Sequence, residues 1–149
     1  KHSISYKMIT DYWKDTGTPE DIINANKAIL ENIIPEFKGG KDPTVSIEGK
    51  VSVGSKTCIG DQVKIKGPVI IGEKCIISGN TVIGPNTSIG NGCIISGGII
   101  RDSIIMNNCE IDKNVNLRNS IISSNSSIKE NSIKNEQVFL LGEGTKVLL

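Results

Sequence analysis

Residues 45–98 read VSIEGK VSVGSK TCIGDQ VKIKGP VIIGEK CIISGN TVIGPN TSIGNG CIISGG in groups of six. Every third position is Ile or Val, and every first position is Val, Thr or Cys. A period of six fits neither an alternating strand nor a 3.6-residue helix, but it fits a short strand followed by a turn. Three units would close one triangular coil and bring residues 18 apart above one another. The predicted structural repeat is Ile47, Val53, Ile59, Ile65, Ile71, Ile77, Ile83, Ile89 and Ile95.

The register changes after this stretch. Ile95 and Ile105 are ten residues apart rather than twelve, so one unit is expected to be short by two. The second block then contains Ile99, Ile105, Ile111 and Leu117, and tightens again to Ile122, Ile128 and Ile133. We expect about five coils with periods falling from 18 to 17 or 16. Residues 138–149 are expected to cap the last coil, which would otherwise expose unpaired strand edges.

Composition and charge narrow the classes of partner that the chain is expected to bind. The 149 residues carry a formal net charge of +1 and are 37% hydrophobic but only 3% aromatic. This balance gives no indication of a nucleic-acid partner. No apolar run approaches the roughly 20 residues that cross a bilayer, and no signal peptide opens the chain. We therefore expect no membrane partner and a cytoplasmic location.

The four cysteines are Cys58, Cys75, Cys93 and Cys109. Their spacing matches no zinc or thioredoxin pattern. Cys75 and Cys93 occupy the same position of the repeat 18 residues apart, and neighbouring coils would place them about 4.8 Å apart. A disulfide is geometrically allowed, but buried free thiols that fill a small position are favoured in a reducing compartment.

The region before the repeats has clear helix signals. Thr18 is a good N-cap, Pro19 suits the first turn and Asp21 follows at the spacing of a capping box. The apolar stripe predicted for this helix is Ile22, Ala25, Ile29 and Ile33. Pro35 should end the helix near residue 34. The predicted organisation is residues 1–34 with an extended segment, a turn and this helix, a Pro- and Gly-rich linker at 35–44, and the repeat domain at 45–149.

Two resemblances follow from these patterns. The repeats resemble the left-handed parallel β-helix of hexapeptide-repeat proteins, which implies a mainly β fold with one preceding helix. Residues 12–22, YWKDTGTPEDI, with NAN at 24–26, resemble the end of the catalytic domain in long-form glucose-1-phosphate thymidylyltransferases. Mannose-1-phosphate guanylyltransferases resemble this segment less.

The second resemblance implies a sugar-phosphate nucleotidyltransferase that makes dTDP-glucose and pyrophosphate from dTTP and glucose 1-phosphate. In that family the Asp of the D-T-G segment binds catalytic Mg²⁺, so Asp15 is the implied metal ligand of the intact enzyme. The family's Gly-rich nucleotide loop is absent from these residues, and LGEGTKVL at 141–148 imitates only part of it. We expect a C-terminal part whose missing partner is the N-terminal catalytic domain. This fragment is expected to hold no catalytic residue or bound cofactor, and to be inactive alone.

Two alternatives remain open. Hexapeptide acyltransferases use a His on the β-helix as general base, but the only histidine is His2, outside the repeats. The other alternative is an assembly module without chemistry, which we favour for this chain, as a homo-oligomeric trimer or dimer. Arg101, Asp102 and Arg118 lie near the register change and are either interface residues or solvated charges.

Overall fold

The structure is a computed structural model that describes residues 17–129 and 136–148. Its one helix among these residues is α1, Pro19–Glu31. The first strands are β1 Glu36–Phe37, β2 Gly40–Lys41, β3 Ser46–Glu48, β4 Val51–Val53, β5 Cys58–Ile59, β6 Lys64–Lys66, β7 Val69–Ile71, β8 Ile76–Ile77, β9 Val82–Ile83 and β10 Thr87–Ile89. The remaining strands are β11 Ile94–Ile95, β12 Ile99–Arg101, β13 Ile104–Ile105, β14 Glu110–Ile111, β15 Asn116–Arg118, β16 Ile121–Ile122, β17 Ser127–Lys129, β18 Leu140–Leu141 and β19 Lys146–Leu148.

The strands build a left-handed parallel β-helix with three flat sides. The first sheet has the order β1-β4-β7-β10-β13-β16-β18, the second β2-β5-β8-β11-β14-β17-β19, and the third β3-β6-β9-β12-β15. An isolated bridge from Leu117 to Gln137 extends the third sheet. The fold class is confirmed, with about six turns rather than about five.

The additional turn comes from both ends of the chain. The predicted linker at 35–44 contains β1 and β2, which pair with β4 and β5. Its prolines and glycines suggested a linker because the corners of a coil require the same residue types. At the other end, β18 and β19 pair with β16 and β17, and Leu141 and Val147 pack on the core. The predicted cap thus continues the β-helix as a partial coil after the sixth.

The aliphatic column forms the core. Eight of the nine predicted repeat residues are buried. The exception is Ile47, which is 36% exposed because no coil lies beneath the first one. The nine residues at the first position of each unit are buried as well: Val45, Val51, Thr57, Val63, Val69, Cys75, Thr81, Thr87 and Cys93.

The register change differs from the prediction. Ile83 pairs with Ile100, which is fully buried, whereas Ile99 points outward and is half-buried. Two successive units are therefore one residue short each, and the prediction of an inward Ile99 is wrong. The shorter periods are confirmed, since Ile89 pairs with Ile105 16 residues later. Ile133 lies outside the described residues.

The glycines that follow the aliphatic column are needed mainly because a side chain would collide with the next coil, rather than because the backbone has a positive φ. A Cβ on Gly72 would lie 2.7 Å from the carbonyl carbon of Gly90 on the next coil, so the close approach of the coils excludes a side chain there. Positive φ occurs instead at corner residues further on, and in the later coils these are Asn108, Asn114, Asn119 and Asn125. Asn tolerates this left-handed region better than most residues, which explains why Asn occupies these corners.

Candidate functional site

Helix α1 packs across the first sheet, against β10. Its start is as predicted, because Thr18 Oγ1 accepts a hydrogen bond from the Asp21 backbone N–H at 3.2 Å. The helix ends three residues earlier than predicted, at Glu31, with Asn32 as its C-cap. The Asn32 side chain donates to the Ala28 carbonyl at 3.2 Å, which satisfies one of the free carbonyl groups at this helix end.

The face that α1 buries differs from the predicted stripe. Ile23 and Leu30 are buried against the β-helix, whereas Ile22 is 38% and Ile29 is 65% exposed. Ile22 and Ile29 of the predicted apolar stripe therefore do not dock on the β-helix. The face with Ile23 and Leu30 is buried because the surface beneath α1 is partly polar. Asn26 lies on this face and forms hydrogen bonds with that surface.

Asn26 connects α1 to the fourth coil through two hydrogen bonds. Its Nδ2 donates to the Asn86 carbonyl at 3.3 Å, and the Ser88 hydroxyl donates to its Oδ1 at 2.6 Å. Near the end of α1, Lys50 Nζ donates to the Glu31 carbonyl at 2.6 Å. A cation is favourable there because the C-terminal end of a helix carries partial negative charge. These contacts fix both the middle and the end of α1.

Asp102 is the centre of a charge network at the corner between the third and the first sheets. Its Oδ1 lies 3.1 Å from Lys27 Nζ of α1 and accepts a hydrogen bond from Asn86 Nδ2 at 3.0 Å. Its Oδ2 lies 3.6 Å from Arg118 Nε. Burial raises the pKa of Asp102, but the hydrogen bonds from Asn86 and Lys27 outweigh burial and hold the pKa below its ordinary 3.8. The carboxylate is therefore charged at neutral pH.

Glu136 extends the network to the sixth coil. Its Oε2 lies 3.4 Å from an Arg118 guanidinium nitrogen, and its Oε1 lies 3.1 Å from Arg101 Nε. The Arg101 contact is an ion pair without the geometry of a hydrogen bond. Arg101 and Arg118 are adjacent in register on β12 and β15, so one carboxylate serves both. The candidate residues Arg101, Asp102 and Arg118 thus lie together in one ion-pair network, and its members are neither isolated nor fully solvated.

The network borders an open cleft of about 560 Å³ between α1 and the last coil. Glu20 and Lys27 line its α1 side, and Val138 and Leu140 line the opposite side. The described residues that line this cleft include no histidine and no nucleophilic hydroxyl or thiol.

A second cluster lies inside the β-helix and consists of three buried free thiols, Cys75, Cys93 and Cys109. Each thiol donates to a carbonyl of the next coil, at 3.1 Å to Gly90, 3.0 Å to Met106 and 3.2 Å to Ser123, respectively. Free buried thiols were the favoured prediction for Cys75 and Cys93, and this is confirmed. Hydrogen bonding with the thiols of Cys109 and Cys75, together with burial, raises the pKa of Cys93.

The other predicted site residues are not in the described part of the chain. Asp15, the implied metal ligand, and His2 both precede residue 17. Within residues 17–129 and 136–148, no group of three or more His, Cys, Asp or Glu side chains is arranged to hold a metal ion. In the same ranges, no helix is long and apolar enough to cross a membrane.

Sequence reasoning missed the residues that hold α1 on the β-helix. Asn26 contributed only to a family resemblance, and Lys27, Asn86 and Ser88 were not selected. The available signal was the pair of polar residues at 26 and 27, between Ile23 and Leu30, which are seven residues apart. A helix that buried only apolar residues would not place Asn and Lys between them.

Comparison with known proteins gives relatives for much of the chain. A family profile described as the GMPPB C-terminal domain matches residues 65–148, more than half of the chain. The glucose-1-phosphate thymidylyltransferase of Streptomyces antibioticus is 37% identical over 51 residues, which are 34% of this chain and 14% of that protein. The bifunctional protein GlmU of Methanococcus vannielii is 38% identical over 45 residues, 30% of this chain and 11% of that protein.

Among solved structures, AntD, an N-acyltransferase from Bacillus cereus, covers 74% of this chain and 77% of its own chain, with 17% identity and a TM-score of 0.34. The matched segments span less than a sixth of the length of the two curated relatives.

Proposed function

Since this chain belongs to the GMPPB C-terminal domain family, we propose that it is the C-terminal region of a sugar-1-phosphate nucleotidyltransferase. The reaction proposed for the intact enzyme converts dTTP and glucose 1-phosphate to dTDP-glucose and pyrophosphate. The thymidylyltransferase relative and the motif at residues 12–26 support this choice of substrates.

In this proposal the β-helix supports the catalytic domain rather than performing chemistry. The observation that carries the proposal is the docking of α1, which is fixed at Lys50, Asn86, Ser88 and Asp102 on several coils. The motif resemblance assigns α1 to the end of a catalytic domain. A helix held at its middle and at its end would transmit the position of the β-helix to that domain.

Asp15 would contribute a carboxylate to Mg²⁺ in the intact enzyme. The metal would neutralise charge on the transferring phosphoryl group, and Mg²⁺ favours sites that combine few carboxylates with substrate oxygens. This assignment depends on the resemblance of residues 12–22, because Asp15 lies outside the described residues.

We further propose that the chain forms a homodimer or homotrimer. The outward face of the second sheet carries Ile76 and Ile94 in register, 51% and 41% exposed, and adjacent exposed aliphatic side chains favour association. Light scattering should give a dimer or trimer, and Ile94→Lys should shift it toward the monomer. A monomer at every concentration tested would contradict this part of the proposal.

The decisive experiment measures pyrophosphate release by this chain and by the same chain extended with its upstream reading frame. Each of dTTP, UTP and GTP is combined with glucose 1-phosphate or mannose 1-phosphate in the presence of Mg²⁺. The extended protein should be most active with dTTP and glucose 1-phosphate, its Asp15→Asn variant should be inactive, and the chain alone should release no pyrophosphate. Preference for another pair would refute the substrate assignment, and activity of the chain alone would refute the support role.

The support role has its own test in the extended protein. Lys27→Met removes the ion pair with Asp102, whereas Lys64→Met changes an exposed lysine of the third sheet and serves as the matched control. Only Lys27→Met should lower the temperature at which nucleotidyltransferase activity is lost. Equal effects of the two substitutions would contradict a structural connection through α1.

The acyltransferase alternative is tested with acetyl-CoA and sugar phosphates. Release of the CoA thiol is followed with a thiol reagent, using the Cys58→Ser variant because Cys58 is exposed. We expect no release above the rate without enzyme. Rapid release coupled to acetylation of a sugar would overturn the proposed absence of chemistry on the β-helix.

A further inference from the structure

Three sulfur atoms follow one another inside the β-helix, at the corner between the first and the second sheets. Ile76 N–H donates to the Cys93 carbonyl and Ile94 N–H to the Cys109 carbonyl, both at 2.9 Å. Cys75, Cys93 and Cys109 therefore occupy equivalent places on three successive coils. All three side chains are fully buried and none is in a disulfide. The column ends in hydroxyl groups, with Thr57 before Cys75 and Ser126 after Cys109.

The spacing of the coils disfavours a disulfide between neighbours in this column. In-register parallel strands lie about 4.8 Å apart, and equivalent Cβ atoms repeat at the same distance. A disulfide requires Cβ atoms about 3.8 Å apart and sulfur atoms about 2.05 Å apart. The backbone hydrogen bonds at Cys93 and Cys109 would have to be compressed to close such a bond.

The same spacing fits a linear bridge of two sulfurs and one soft cation. A metal–thiolate bond is about 2.3 Å long, as for zinc, so two collinear bonds span about 4.6 Å. That span nearly equals the distance between coils. Soft sulfur ligands select Cu(I) over the harder divalent ions, and monovalent d¹⁰ cations accept two collinear ligands. A three- or four-coordinate ion would need ligands that the column does not offer within the described residues.

We propose that Cys93 and one of its neighbours, Cys75 or Cys109, bind a single monovalent d¹⁰ cation of the Cu(I) class in a linear two-sulfur site. One thiol loses its proton to solvent and becomes a thiolate, while the second thiol coordinates through a sulfur lone pair and keeps its proton. One positive charge enters and one proton leaves, so the buried site remains neutral overall. Neutrality is required because an uncompensated charge in an apolar interior is very costly.

The central position of Cys93 makes the site testable by single substitutions. Both candidate pairs, 75 with 93 and 93 with 109, include Cys93. Cys93→Ser should therefore abolish the site, whereas Cys75→Ser and Cys109→Ser should each leave one pair intact. Serine keeps a hydrogen-bond donor toward the next coil, as Ser126 already does for the Gly142 carbonyl, so the fold is expected to survive these changes.

The experiment uses Ag(I), which is redox-inert, as the probe on the full chain with Cys58→Ser, so that the exposed thiol cannot bind. Native mass spectrometry after gel filtration should show one ion per chain in this protein and in its Cys75→Ser and Cys109→Ser forms, and none in the Cys93→Ser form. X-ray absorption should show two sulfur neighbours. The circular dichroism spectra of all variants establish that each is folded.

Three results would overturn the proposal. The first is that no ion is retained by the chain that has all three buried thiols. The second is that folded Cys93→Ser retains the ion as well as Cys75→Ser does. The third is an absorption spectrum with one or three sulfur neighbours, or with oxygen or nitrogen ligands. None of these results bears on nucleotidyl transfer, so this proposal and the proposed function fail independently.

Discussion

The pair Ile99 and Ile100 provides a direct test of the register through the coil where the period shortens. Ile100 is fully buried in the aliphatic column, whereas Ile99 points outward and is half-buried. Ile100→Ala removes three buried carbons, each worth about 0.8 kcal/mol in transfer alone, and leaves a cavity between Ile83 and Leu117. The expected loss in the free energy of unfolding is about 2–5 kcal/mol. Ile99→Ala should lose less than about 1 kcal/mol, because much of its surface already contacts water.

Urea denaturation followed by circular dichroism measures both variants beside the parent chain. The midpoints should separate while the slopes remain equal, since an equal slope means that the same surface is exposed on unfolding. A larger loss for Ile99→Ala than for Ile100→Ala would refute the register of β12 and restore the phase predicted from the sequence.

Three further perturbations test other parts of the fold. Thr57→Val should cost about 1–3 kcal/mol because the buried hydroxyl both donates to a carbonyl and accepts from a backbone N–H, and Thr57→Ser should restore most of that loss in the same denaturation assay. Gly84→Ala should cost at least about 3 kcal/mol, since φ is +106° and the new Cβ would overlap a carbonyl oxygen of the preceding coil. Gly40→Ala, with no atom within 4 Å of its Cβ, is the matched control and should be neutral or slightly stabilising. The pKa of Asp102 is lower in the folded state than the ordinary 3.8, so its contribution to stability is complete above that value and is lost as pH falls through the folded pKa. Asp102→Asn should therefore cost about 1.5–3 kcal/mol at neutral pH and progressively less in acid, and a difference that does not depend on pH would contradict the ion pairs described for Asp102.

The sequence predicted the β-helix because a sustained period of six residues fits few other structures. Within residues 45–98, an aliphatic residue recurs every six positions, and a small or β-branched residue precedes it by two. The prediction of which residue points into the core failed where two isoleucines are adjacent. Ile99 and Ile100 both satisfy the pattern, and the conformation of the corner at Gly97 and Gly98 decides which one points inward.

The candidate site was less accessible to sequence reasoning because it depends on tertiary contacts. The apolar stripe through Ile22 and Ile29 is a good helical pattern, but burial depends on the surface that the helix meets. Ser88 and the Asn86 carbonyl favour the face with Asn26. Charged residues such as Asp102 gave no indication of their partners, since Lys27 is far away in the chain and only the docking of α1 brings it near.

The contacts between α1 and the fourth coil also constrain the order of folding during synthesis. Each coil pairs with neighbours 16 to 20 residues away, so a new turn can form as soon as the next turn's residues are available, as in other repeat folds. Asn26, in contrast, meets partners 60 and 62 residues later. During N-to-C synthesis, α1 leaves the ribosome before the coils, and the partners of Asn26 are absent until residue 88 has emerged. The residues of α1 that face the β-helix, Ile23 and Leu30, therefore reach their final contacts only after the first three coils have been made.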